Sequence, residues 1–170
     1  MRLMNEFIGK LSERDQVCLS AAEGWFELGD FKACKKELEE IRPEMRAHPD
    51  VLKVRGALYM AALDWRSALV IAEAMSQRVP DDSKGWILKS FCLHILRRTQ
   101  EARDNLLTVV ERFPEEPMLF YGLACYECQL GRLKEAEKWL HKSFDVGDAK
   151  SLKLMSLEEP DLKPLMRSTA

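Results

Sequence analysis

The chain has 170 residues, enough for one ordinary domain, and 46% of them are hydrophobic while 32% are charged. This balance is typical of a folded globular protein and excludes a disordered or a fibrous chain. The 26 basic and 28 acidic residues give a formal net charge of −2, so no global charge attracts the chain to nucleic acid or to an anionic membrane.

The N-terminal segment, residues 1–14, carries apolar residues at a helical spacing and predicts a short amphipathic capping helix. These residues are Leu3, Met4, Phe7, Ile8 and Leu11. Asn5, Glu6 and Lys10 interrupt the apolar run, so the segment lacks the continuous apolar core of a signal peptide. No run in the chain approaches membrane-spanning length. The five scattered cysteines do not form a secreted disulfide framework, and we therefore expect a cytoplasmic protein.

Residues 15–148 contain an internal repeat with a period of 34 residues, which defines four repeats: 15–48, 49–82, 83–116 and 117–148. One column of small residues runs through all four repeats: Cys34, Ala68, Ala102 and Ala136. A second column is apolar: Leu38, Ala72, Leu106 and Leu140. A third column ends in a serine: Ile41, Met75, Val109 and Ser143. Such self-similarity is typical of repeat architectures, in which neighbouring repeats share one continuous core.

Each repeat is predicted to form two helices of about a dozen residues, judged from its helical periodicity. Gly29 and Gly131 lie between the two helices of their repeats, where glycine adopts a left-handed backbone at little cost. Residues 80–83 and 114–117 end one helix and offer caps to the next. The first helices carry small residues that face the column of the second helices: Ala22, Gly56, Ser90 and Ala124. The paired helices are therefore expected to approach closely.

The 34-residue period, the small residue early in the repeat, the central alanine and the closing Pro80 and Pro114 resemble the tetratricopeptide repeat (TPR) family. The resemblance covers residues 15–148. It implies an all-α fold, a right-handed superhelical solenoid of antiparallel helix pairs whose first helices line a concave groove. The chain departs from the family pattern at several positions. They are Arg55 and Lys89 in apolar places, Glu127 in place of an aromatic residue, and Arg97 with Arg98 in place of a Gly-Asp turn.

One face of the first helices predicts a partner-binding groove. On a helical wheel Ile87, Phe91 and His94 lie opposite the core stripe. Across the repeats this groove stripe is more apolar than a solvated surface, and an apolar concavity commonly marks a binding site. Two lysines flank it and could orient a ligand. The predicted groove residues are Leu19, Phe26, Lys53, Ala57, Met60, Lys84, Ile87, Phe91, His94, Tyr121, Cys125 and Cys128.

The ends of the chain offer another occupant for the groove. Residues 149–170 contain an amphipathic capping helix, with Leu152, Met155 and Leu157 on one stripe, followed by a tail. This helix or the N-terminal one caps an open end of the array, or inserts into the groove in cis or between two protomers. Pro160 and Pro164 exclude a continuous helix in the tail and predict an extended segment.

The spacing of Cys125 and Cys128 fits a redox couple, half of a zinc site, or two small residues on one helix face. A redox couple needs a preceding strand, and zinc needs two more ligands, of which only His94 lies at the matching height. We interpret both cysteines as groove-lining residues. His48 and His141 join no cluster, and no catalytic or phosphate-binding motif is present. The sequence therefore predicts no enzyme, no cofactor and no metal.

The function predicted from these features is a protein–protein interaction module, a scaffold or adaptor that binds an apolar peptide or helix of a partner protein. Its anchors would be Met60, Ile87, Phe91 and Tyr121. Only Lys84 fits the basic clamp with which one TPR subclass holds a C-terminal carboxylate. The apolar stripe is more similar to chaperone-like members such as the small type III secretion chaperones. The alternative is a self-associating protein, a homodimer in which the N-terminal helix docks on another protomer.

Overall fold

The computed structural model describes residues 9–168, and every regular element in them is a helix. The α-helices are α1 (Glu13–Glu27), α2 (Phe31–Glu40), α3 (Pro49–Ala61), α4 (Trp65–Arg78), α5 (Ser83–Ile95), α6 (Thr99–Leu107), α7 (Pro117–Gln129), α8 (Leu133–Val146), α9 (Ala149–Glu158) and α10 (Lys163–Ser168). Short 3₁₀ turns span Pro43–Met45, Val110–Arg112 and Pro160–Leu162. None of the helices described combines the length and the apolar character that crossing a membrane requires.

The chain divides into two compact units between Pro80 and Asp81. The N-terminal unit contains α1 to α4, and the C-terminal unit contains α5 to α10. In the N-terminal unit α1 packs on α2 and α3 on α4, while in the C-terminal unit α5 packs on α6 and α7 on α8. Short turns join the two helices of each pair, so the helices run antiparallel, as the repeats predict.

The interface within each helix pair is made of small residues. All eight predicted positions are buried: Ala22, Cys34, Gly56, Ala68, Ser90, Ala102, Ala124 and Ala136. Small side chains on both helices let the two backbones approach closely. At the one polar position, the Ser90 hydroxyl donates a hydrogen bond to the Ala102 carbonyl at 2.9 Å. The predicted helix-pair interface is therefore confirmed.

The turn inside each pair has the same left-handed backbone in all four repeats. The φ angles are 77° at Gly29, 56° at Leu63, 65° at Arg97 and 75° at Gly131, and these positions are 34 residues apart. Glycine adopts this conformation freely, whereas leucine and arginine are strained in it. The predicted role of the two glycines is confirmed. The helix pairing imposes the same turn on Leu63 and Arg97, since neither residue favours it.

Helix caps follow the predicted segments. Asp82 accepts a hydrogen bond from the Lys84 N–H at 3.0 Å at the start of α5, and Pro117 occupies the first turn of α7. The second helices differ between the units. Asp30 caps α2 by accepting from the Ala33 N–H at 2.9 Å, whereas α6 and α8 begin after arginines that make no side-chain cap bond. The C-terminal unit therefore holds its second helices without this cap.

Each unit buries one carboxylate against arginine. Asp15, 1% exposed, accepts from the Arg42 guanidinium at 2.8 Å and from the Ser12 hydroxyl at 2.7 Å. The Arg42 and Ser12 hydrogen bonds hold the pKa of Asp15 well below its usual range.

The buried carboxylate of the C-terminal unit is Glu127, also 1% exposed, which accepts a hydrogen bond from Arg103 Nε at 2.7 Å. Arg132 adds a contact to its other oxygen at 3.3 Å. Glu127 replaces the aromatic residue of the family pattern, and its charge is satisfied by these two arginines.

The C-terminal tail differs from its prediction. Pro160 opens a 3₁₀ turn, and α10 follows it, so the prediction of an extended segment is wrong. Proline is compatible with a first helical turn because the N–H that it lacks has no helical partner there. The helical tail also buries Leu162 (0% exposed) and Leu165 (5%), which an extended strand with side chains alternating across it would not place on one face.

Two further differences concern helix length and the N-terminus. The second helix of the third repeat, α6, ends at Leu107 instead of running for about a dozen residues, and a 3₁₀ turn follows it. Four residues of the predicted N-terminal stripe, Leu3, Met4, Phe7 and Ile8, lie outside the described residues. Leu11 precedes α1 and packs, partly buried, against the core of the N-terminal unit. The capping helix over residues 1–14 stays a prediction.

Candidate functional site

A cavity of about 380 Å³ lies in the C-terminal unit beside α5, α7 and the segment that follows α9. Five of the predicted groove residues line it: Ile87, Phe91, His94, Tyr121 and Cys125. The structure thus brings one stripe of α5 and one of α7 to the same cavity. Their role in binding a partner is untested by these contacts and stays a prediction.

The spacing of residues along the two helices explains how they line the cavity. Ile87, Phe91 and Ile95 recur every four residues on α5, and Tyr121 and Cys125 are four apart on α7, so each set lies on one helix face. The rim is half-exposed, with 37% exposure at Phe91 and 40% at Met118. The floor is buried, with 4% exposure at Tyr121 and 6% at Cys125. The cavity therefore has an apolar rim that solvent reaches and a floor of buried side chains.

The remaining wall comes from the end of the chain, which sequence reasoning did not place here. Met155 of α9 and the segment Glu159, Pro160 and Asp161 line the cavity. Asp161 fixes this segment: its carboxylate contacts His94 Nε2 at 2.8 Å, and its carbonyl accepts from Gln129 Nε2 at 2.9 Å. Insertion of a terminal segment in cis was among the alternatives that the sequence raised. That alternative concerned the terminal helices and stays a prediction; the structure places Met155 of α9 and the segment after it in the wall of this cavity.

His94 is held by its neighbours. Its Nδ1 lies 3.0 Å from the Thr99 hydroxyl and its Nε2 contacts Asp161, while its ring lies 5.1 Å from that of Tyr126. Both ring nitrogens are thus engaged in hydrogen bonds. No group of three side chains suited to a metal ion occurs among residues 9–168.

The two cysteines of the C-x-x-C spacing are buried free thiols. Burial raises the pKa of Cys125 far above the ordinary thiol value and also raises the pKa of Cys128. Both thiols are therefore protonated at neutral pH, which is the poorly nucleophilic form. The groove prediction expected this stripe of α7 to face solvent. That expectation is wrong for Tyr121, Cys125 and Cys128, because the segment after α9 packs against α7.

Tyr121 carries an unsatisfied polar atom. Its hydroxyl is buried and has no hydrogen-bond partner among the described residues. Burial raises the pKa of Tyr121, and the nearby Cys125, Glu159 and Asp161 raise it further, so the phenol stays protonated. A buried hydroxyl without a partner is unfavourable, at about 1–3 kcal/mol. This site therefore retains an unmet capacity for a hydrogen bond.

The other predicted groove residues do not line this cavity. Lys84 is exposed on α5, and Cys128 is buried on α7. Five more lie in the N-terminal unit: Leu19, Phe26, Lys53, Ala57 and Met60. There Leu19 is 8% exposed beside a shallow cavity of about 370 Å³, and Lys53 pairs with Asp50 at 3.1 Å. Phe26 packs against Phe31, with the ring centroids 5.7 Å apart. Their place in a groove stays a prediction.

Solved structures resemble this chain along most of its length. A MamA structure from Desulfovibrio magneticus RS-1, running from residue 41 to its end, is 15% identical with a TM-score of 0.72, over 93% of this chain and 92% of that one. A thermophilic TPR protein from Thermus thermophilus is 17% identical with a TM-score of 0.66, over 90% and 87% of the two chains. The structure described as MamA MSR-1 is 20% identical with a TM-score of 0.68, over 81% and 78%.

No protein-family model matches the sequence, and no curated protein matches it either. The structural likeness occurs at low identity, so it establishes the fold and not a function. It agrees with the 34-residue period and with the four helix pairs. The chain therefore has the fold of the tetratricopeptide repeat proteins, and its predicted resemblance to that family is confirmed at the level of the fold.

Proposed function

We propose that this chain is a non-enzymatic protein–protein interaction module whose C-terminal unit binds an apolar segment of a partner protein. One observation carries the proposal: the cavity of about 380 Å³ beside α5 and α7, with half-exposed apolar side chains at its rim. Apolar concavities of this size are the usual form of binding sites on protein surfaces.

The cavity dimensions favour side chains as ligands. It holds one or two apolar side chains of a peptide or helix, and burying each contributes about 1.5–3 kcal/mol. Phe91, Ile95 and Met118 at the rim would lose their remaining exposure on binding. Aromatic and methionine side chains are frequent in interface cores, where they supply large contact areas. The partner would therefore insert an anchor residue and cover the rim.

The setting proposed for this binding is the cytoplasm, where the five free cysteines would remain reduced. A role as a scaffold or adaptor requires only that this cavity binds a partner protein. A chaperone-like role would follow if the bound segment were one that aggregates when free, since the cavity would shelter its apolar side chain from other chains.

The test is affinity capture with a matched control. Full-length wild type, Phe91→Glu and Leu157→Glu are immobilised, and proteins captured from an extract of the source cells are identified by mass spectrometry. Leu157 is 69% exposed on α9 and lies outside the cavity, so Leu157→Glu adds the same charge to the same unit. We expect a protein captured by wild type and by Leu157→Glu, and lost with Phe91→Glu at unchanged helical circular dichroism.

Equal capture by all three proteins would contradict a role for the cavity. Capture of the chain by itself, lost with Phe91→Glu, would instead favour the self-association that the sequence raised as its alternative.

A further inference from the structure

We infer that the cavity of the C-terminal unit recognises an apolar anchor residue that has a basic residue next to it or two positions away. This inference rests on the proposed function and narrows its partner to one chemical class. The charges that line the cavity support it.

The carboxylates of the cavity wall are Glu159 and Asp161, and Glu159 has no counter-ion in the part of the chain that the structure describes. Besides the Cys125 thiol and two tyrosine phenols, the cavity is lined by three titratable side chains: His94, Glu159 and Asp161. Asp161 is engaged by His94 at 2.8 Å. Glu159, half-buried, accepts a hydrogen bond from the Asp161 N–H at 3.2 Å, and no basic side chain of residues 9–168 forms an ion pair with it. A carboxylate in that position attracts a cation from a ligand more strongly than a fully solvated one would.

The field of these carboxylates extends into the cavity. Glu159 and Asp161 both contribute to the raised pKa of Tyr121 on the floor and of Cys125 beside it, although burial is the larger cause in each case. An acidic ligand residue at the rim would meet this negative potential, whereas a lysine or an arginine would be drawn to it. Charge at the rim of an interface selects among partners in this way.

The Tyr121 hydroxyl is a second, independent sign of a polar ligand group. It is buried in the wall of the same cavity and lacks a partner among the described residues. A carbonyl of an inserted peptide backbone would accept a hydrogen bond from this hydroxyl, which removes the cost of leaving it unsatisfied. The complete ligand is thus an apolar side chain for the floor, a backbone carbonyl for Tyr121 and a cation for Glu159.

The experiment is selection of random dodecapeptides displayed on phage against the immobilised full chain. Wild type, Glu159→Gln and Phe91→Glu serve as three parallel targets. Glutamine retains the acceptor oxygen that holds the Asp161 N–H, so Glu159→Gln removes the charge and keeps the turn. Circular dichroism confirms that all three are equally helical.

We expect wild type to enrich peptides that carry leucine, methionine or phenylalanine with lysine or arginine within two positions. Glu159→Gln should keep the apolar anchor and lose the basic preference, and Phe91→Glu should enrich nothing. For one selected peptide, replacing its basic residue by glutamate should weaken binding to wild type about tenfold by fluorescence polarisation, and to Glu159→Gln by much less.

The outcomes separate this inference from the proposed function. Apolar peptides without a basic preference, still dependent on Phe91, would overturn the inference and leave the proposed function standing. If wild type enriches no peptides that Phe91→Glu does not also enrich, both the inference and the proposed function are overturned. Peptides that match the chain's own terminal segments would name a second copy as the occupant. Because those segments also place an apolar residue next to a basic one, as at Met1 and Arg2 or Met166 and Arg167, such peptides support the inference if Glu159→Gln loses the basic preference and overturn it if that preference persists.

Discussion

Helices α3 and α7, one in each compact unit, differ in how far they expose the same repeat positions. On α3 of the N-terminal unit, the predicted groove positions Lys53, Ala57 and Met60 are exposed or half-buried, and the lysine pairs with its own helix. On α7 of the C-terminal unit, the corresponding positions Tyr121 and Cys125 are buried beside the cavity.

The 34-residue pattern thus specifies which helices pair, but it does not specify which residues remain exposed on their outer faces. The buried columns of small residues are alike in the two units. The groove stripe changes because α9 and the segment after it belong to the C-terminal unit alone and add a wall to it. A structural repeat can therefore become a binding site by acquiring a neighbour rather than by changing its own fold.

The largest change in stability is expected from substitutions that disturb the buried carboxylates, Glu127 in the C-terminal unit and Asp15 in the N-terminal unit. Arg103→Ala leaves Glu127, which is 1% exposed, with Arg132 alone at 3.3 Å. Because removing one member of a buried ion pair leaves a charge poorly compensated, the free energy of unfolding should fall by about 3 kcal/mol in urea denaturation. The control is Lys138→Ala, since Lys138 forms an exposed pair with Glu135 and should cost no more than about 0.5 kcal/mol. Similar losses in the two variants would show that the pair is not important to the C-terminal unit.

Asp15→Asn is the matching change in the N-terminal unit and should cost less, because asparagine keeps an acceptor oxygen for Ser12 or Arg42. The folded pKa of Asp15 lies below its unfolded value, so its ionised form stabilises the fold above about pH 4. That contribution is lost as the pH falls further, toward the folded pKa. The urea midpoints of wild type and Asp15→Asn should therefore differ at neutral pH and converge in acid. A difference that stays constant with pH would contradict this role of the charge.

The smallest change in stability is expected at the left-handed turn inside each helix pair, which occurs in all four repeats. A Cβ at Gly131 meets no atom within 4 Å, so Gly131→Ala costs backbone strain alone, about 1 kcal/mol of unfolding free energy. Arg97→Gly relieves the same strain at φ 65°, and its gain is reduced by the greater chain entropy of glycine. Thermal unfolding should thus shift in opposite directions for the two variants. A shift of the same sign in both would mean that the left-handed turn is not the cause.

Local patterns in the sequence were sufficient to predict the helix pairs. The small column through Cys34 and the glycines at residues 29 and 131 follow from spacing and backbone preference, which act within one repeat. The same reasoning identified the correct face of α5, where Ile87 and Phe91 line the cavity.

The composition of the site could not be predicted in full because it depends on contacts between distant residues. His94 contacts Asp161, which lies 67 residues later in the chain, and this contact holds the segment after α9 in the cavity wall. The periodicity of α5 and α7 contains no information about that contact. The prolines of the tail also suggested an extended segment, whereas burial of Leu162 and Leu165 favoured a helical turn. Glu127 likewise departs from the repeat pattern, and its place in the core depends on Arg103, 24 residues earlier.

The most direct test of partner binding in the C-terminal unit is site-specific photo-crosslinking in the source cells. The photoreactive residue p-benzoylphenylalanine replaces Phe91 at the cavity rim in one variant and Leu157 on α9 in the other. The cavity account predicts an adduct from position 91 that maps to an apolar segment of one partner protein, and none from position 157. No adduct from position 91, or the same adducts from both positions, would contradict it.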